Sequence, residues 1–136
     1  SDTGKYVRQL FKAVGRNRNG NHFNCYYDEA CMETADIEVC VPVKHRISDA
    51  AVTCRKLPKL TALKTVHRGS YDTLYLAYRA VFEYVNRQGI QLLSPSRERY
   101  VKSPGIIFQG NPADYITEII LPLQSDKEQE HGKDSR

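Results

Sequence analysis

The sequence predicts an α+β domain built on a duplicated unit. Three observations point there. Residues 37–43 and 117–123 end alike: each is an apolar stretch closed by a proline and an aliphatic residue. Each holds one acid four residues before that proline, Glu38 before Pro42 and Glu118 before Pro122. Two other stretches carry a helical repeat of apolar residues, and the remaining apolar stretches are short and separated by Gly, Pro and Asn.

Residues 3–14 read as a helix, because Val7, Leu10, Phe11 and Val14 follow the i, i+3, i+4, i+7 rule. Asp2 or Thr3 would cap it. The Arg- and Asn-rich residues 16–21 break the structure. Residues 23–28 are then expected as a strand, followed by an acidic loop through Asp36. Further strands are expected at 37–43, 52–57 and 60–68, with Pro58 dividing the last two. Ser70 and Asp72 mark the start of the longest helix. Its apolar stripe is Leu74, Tyr78, Val81, Phe82 and Val85, and Gly89 is placed to end it. Residues 97–103 and 115–123 are the final strands, separated by a loop over 105–114. Residues 124–136 carry mostly charged and polar side chains and are expected to form a flexible tail.

The chain has 136 residues, enough for one domain with a core. Domain limits of 1–123 follow, with modules of about 1–50 and 51–123. A net charge of +4 with scattered Lys and Arg does not describe a nucleic-acid surface. No apolar run approaches the roughly 20 residues of a membrane helix, so no membrane partner is expected. Cys25, Cys31, Cys40 and Cys54 lack CxxC spacing and a paired His. Reduced thiols in a cytoplasmic protein are expected, with no metal and no cofactor.

Several blocks of this chain resemble the GyrI-like effector-binding domain of MerR- and AraC-type bacterial regulators, which also occurs as a free-standing protein. They are residues 66–71 before the long helix, 97–100 in the next strand, and 111–123. In the first half, residues 26–29 and 37–43 match. The resemblance implies two βαββ modules related by a pseudo-twofold axis. Their strands would form a curved antiparallel sheet with helices on one face. The family usually places a strand before its first helix, so the first strand of module 1 is expected to be missing here. That would leave a sheet edge open to self-association as a homodimer.

Alternation along residues 115–123 separates Ile116, Glu118 and Ile120 from Thr117, Ile119, Leu121 and Leu123. The second set is expected under the helices, and Glu118 on the opposite, concave face. The same reasoning sends Glu38 there. Tyrosine is abundant, nine residues with no Trp. Tyr26 and Tyr100 occupy matching strands, and Tyr71 and Tyr115 fall near the same cleft by motif position. Aromatic faces around a buried carboxylate suit a lipophilic or cationic aromatic compound. The expected ligand-binding set is Glu118, Tyr100, Tyr26, Tyr71, Glu38, Tyr115 and Ile120. The resemblance implies that DNA is contacted only through a further domain. Two alternatives accompany the sensor reading: a hydrolase of reactive cyclic compounds using Glu118, and a protein-interaction module of gyrase-inhibitor type. No Ser-His-Asp set or phosphate-binding Gly loop supports an enzyme. His67, in a strand-to-helix turn, is expected to have a packing or capping role and not a catalytic one.

Overall fold

The computed structural model describes residues 3–27, 36–105 and 108–124. Asp2, most of the acidic loop including Asp28 and Glu29, Cys31, and residues 125–136 of the tail lie outside these. Two helices and five strands form in the order α1 (Thr3–Val14), β1 (Phe23–Tyr26), β2 (Ile37–Cys40), β3 (Ala62–Arg68), α2 (Leu74–Gln88), β4 (Ser96–Lys102) and β5 (Ile116–Pro122). All strands belong to one open antiparallel sheet with the order β2-β1-β4-β5-β3.

Both helices match their expected limits. Before α2, the Ser70 hydroxyl accepts from the Asp72 amide, closing a short 3-10 turn at Tyr71–Thr73. His67 Nε2 lies 3.0 Å from Thr73 Oγ1 and so braces this turn. At the other end Gly89 has φ 65°, a left-handed conformation that costs glycine no Cβ clash.

Two strand expectations need correction. Residues 41–43 do not extend β2; only Val43 pairs, in an isolated bridge with Arg18. Residues 52–57 form no strand. Val52 makes one isolated bridge to Asp49, and Arg55 anchors the segment by reaching Glu38. A side chain rather than a backbone ladder holds this piece, which is why an extended sequence pattern did not become a sheet element. Among the described residues, no strand lies outside β2.

The register fixes which side chains share a face, because directly paired residues project to the same side. One row runs Val39, Asn24, Glu98, Ile119, Thr65 across β2, β1, β4, β5 and β3. This face meets α2: Val81 packs with Ile119 and Leu121, joined by Leu63, Leu74, Ala77, Tyr78 and Leu92. Ile119 is fully buried. The aliphatic half of β5 therefore packs under a helix as expected. The opposite face carries two rows, Glu38–Cys25–Arg97–Ile120–Lys64 and Cys40–Phe23–Arg99–Glu118–Val66.

Candidate functional site

A cavity of about 1050 Å³ opens on the helix-covered face. Thr3, Val7, Arg8 and Phe11 of α1 form one wall, and Tyr71 and Leu74, at and just before the start of α2, contribute to another. Its floor is Asn24, Tyr26, Glu98 and Tyr100 from the paired strands β1 and β4. Arg18 and Lys102 also line it.

Glu98 is 8% exposed. Among the described residues it forms no ion pair; its contacts are three phenol hydroxyls. Tyr100 donates to Oε1 at 2.8 Å and Tyr26 to the same oxygen at 3.3 Å, while Tyr78 of α2 donates to Oε2. The Tyr26 and Tyr100 oxygens are 3.1 Å apart. Asn24 Nδ2 donates to both, at 3.2 and 3.1 Å, and its Oδ1 is buried without a partner. Burial, then the Glu98 charge, pushes the Tyr78 and Tyr100 phenols far above their ordinary range. Burial raises Tyr26 as well, and Tyr71 to about 12. These phenols keep their protons at neutral pH and remain donors.

Rings complete the enclosure. Tyr71 meets Tyr100 at 6.2 Å and Tyr115 at 5.3 Å between centroids. His22 stacks on Tyr100 at 5.0 Å and meets Phe11 edge-on at 5.5 Å, tying α1 to the strand floor. Burial, helped by the Arg18 charge, lowers the His22 pKa and favours its neutral form. The Arg18 guanidinium lies 4.3 Å from the centre of the Phe11 ring.

Of the residues expected at one site, the fold gathers Tyr26, Tyr71, Tyr100 and Tyr115. It places Glu118, Glu38 and Ile120 on the opposite face. Glu118 is 7% exposed and binds two cations: Arg99 Nε at 2.5 Å and Lys64 Nζ at 3.0 Å. Burial acts to raise its carboxyl, but the bonds from Lys64 and Arg99 and their charges outweigh it and hold the pKa low. Glu38 accepts from Arg55 and from the Tyr27 hydroxyl. The cavity carboxylate, Glu98, was not among the expected site residues. Alternation in β4 already sets it on the same side as Tyr100; what sequence lacked was the pairing of Glu98 with Ile119, which puts that side under the helices.

A family model described as the GyrI-like small molecule binding domain matches residues 47–124, more than half of the chain. The chain belongs to the GyrI-like family. Among solved structures, this GyrI-like domain is similar to EcmrR in the EcmrR–DNA complex of EcmrR-RPo, with TM-score 0.75 and 26% identity. That match covers 91% of this chain and 50% of the EcmrR chain, so the domain spans about half of that relative. It is also similar to the crystallised EcmrR C-terminal domain, with TM-score 0.74 and 26% identity over 89% of this chain and 78% of that one. No curated protein sequence matches the chain. The GyrI-like match begins after β2, so α1 and β1 enter the cavity from outside it. Among the described residues, no helix is long and apolar enough to cross a membrane.

Proposed function

We propose that this GyrI-like domain senses lipophilic, cationic aromatic compounds as the effector part of a MerR-type transcription regulator. One observation carries the reading: a buried carboxylate, Glu98, is met by phenol hydroxyls instead of a cation. The hydroxyls satisfy the carboxylate oxygens and supply no counter-charge. An aromatic cation entering between α1 and α2 supplies the missing charge and stacks on the rings of Tyr71, Tyr100 and His22. Asn24 Oδ1 offers an acceptor for an N–H on such a compound. The counter-charge expected of Glu118 belongs to Glu98 in this proposal, since Glu118 has its cations already.

The proposal includes two versions of one unit, α1-β1-β2 and β3-α2-β4-β5, meeting where β1 pairs with β4. That seam is where Asn24, Tyr26, Glu98 and Tyr100 stand together. Effector occupancy would then alter how the two helical walls sit, and a DNA-binding domain joined to this one would read the change.

Isothermal titration with tetraphenylphosphonium tests the site. Glu98→Gln is expected to weaken binding by about tenfold to a hundredfold, as loss of one charge contact in a partly wet cavity predicts. Glu118→Gln is expected to bind as the parent does. Unchanged affinity in Glu98→Gln overturns the proposal.

A further inference from the structure

The face opposite the cavity holds a second group of reactive side chains. Cys25 and Glu38 are direct cross-strand partners on β1 and β2, and Cys40 is two residues along β2 on the same side. One ligand atom from each, Cys25 Sγ, Cys40 Sγ and a Glu38 carboxylate oxygen, lies within 4.8 Å of the other two. Both thiols are free. Strand pairing brings the three side chains together, so the spacing of the cysteines along the chain gives no sign of them.

The geometry points to a site for a thiophilic divalent ion of the zinc class, held by Cys25, Cys40 and Glu38. Two sulfurs and one oxygen at these separations need only small shifts to occupy three corners of a tetrahedron. The mixed set of thiolates and carboxylate favours Zn²⁺ or Cd²⁺ over a hard ion such as Mg²⁺. The carboxylate is already oriented: the Arg55 guanidinium and the Tyr27 hydroxyl both donate to Oε1, leaving Oε2 outside those bonds. Outer-shell donors on a ligating carboxylate serve this purpose in metal sites. Access comes through a cavity of about 290 Å³ that reaches Glu38, Cys40 and Cys54. Cys54 or a water takes the fourth position. Binding releases the two thiol protons to solvent and changes no oxidation state.

The site would clamp β1 to β2 directly behind the effector cavity. Tyr26 follows Cys25 and Ile37 precedes Glu38, and both line that cavity.

The test is titration of the reduced full chain with Co²⁺, followed by displacement with Zn²⁺. One equivalent is expected to produce a sulfur-to-cobalt charge-transfer band and an intense tetrahedral ligand-field band, both abolished by Zn²⁺. Cys25→Ser and Cys40→Ser are each expected to lose charge-transfer intensity, and Glu38→Gln to weaken Zn²⁺ competition by about tenfold or more. Because Cys25 is buried, circular dichroism checks its variant; Cys40→Ser and Glu38→Gln act at half-buried positions and keep the test decisive. No charge-transfer band in the parent, or a band of undiminished intensity in Cys40→Ser, overturns the inference.

Discussion

Neutralising Glu118 should cost folding stability and leave effector binding intact. The carboxylate is almost fully buried, while Arg99 and Lys64 have side chains 45% and 52% exposed. At about 3 Å and an effective dielectric near 20, each contact represents roughly 5 kcal/mol of gross Coulomb attraction. Hydration of the half-exposed cations and dehydration of the acid offset most of that, as they do in other partly buried pairs. Glu118→Gln keeps an acceptor oxygen and the side-chain shape, so a net loss of about 1–2 kcal/mol is expected. The assay is urea denaturation of the parent, Glu118→Gln, Arg99→Gln and the double variant. A coupling of about 1 kcal/mol between the two sites is expected, since each single change removes the same contact. That coupling is present above the ordinary carboxylate range and is lost as pH falls through the lowered folded-state pKa of Glu118. A coupling under about 0.3 kcal/mol would refute the pair as an energetic contact. Loss of tetraphenylphosphonium affinity in Glu118→Gln, equal to that in Glu98→Gln, would refute the division of the two acids between opposite faces.

Two other outcomes follow from the same geometry. Ile119→Ala empties a fully buried position against Val81 and Leu121, and a loss of about 2–5 kcal/mol should appear as a lower urea midpoint. For His22, burial favours the neutral ring, so the unfolded chain binds more protons between the folded-state pKa and about 6.5. Its contribution to stability is therefore lost as pH falls below about 6.5, and an NMR titration of the ring should give a midpoint under that value.

The local signals in this chain were sound. The Ser70 start and Gly89 end of α2 and the in–out alternation of β5 stand as the residues suggested, and so does the α2 stripe except at Phe82, which is 42% exposed. Alternation also grouped Glu98 with Tyr100 correctly. It cannot say which side of one strand matches which side of the next, because that phase depends on pairing between residues distant in sequence. Here the pairing sets Glu98 opposite Ile119 and Arg99 opposite Glu118. A buried polar group on the helix-covered side was not anticipated, because a sheet face under helices is ordinarily apolar. The apolar part of this face, Leu63, Ile119 and Leu121, lies on β3 and β5 beneath α2. Toward β1 and β4 it carries Asn24, Tyr26, Glu98 and Tyr100 as the floor of the cavity. The meeting of Cys25 with Cys40 was hidden for the same reason, since it arises from β1–β2 register and not from a local motif.

The three phenols on Glu98 come from β1, β4 and α2. The domain thus holds its own internal competitor. In the proposed function, a cation would have to displace or share those donors before it gained the carboxylate. A small hydrated ion offers too little in exchange, whereas a broad aromatic cation recovers the loss through ring contact. Selection by size would in this way be set by what the acid already holds, and not by the width of an opening.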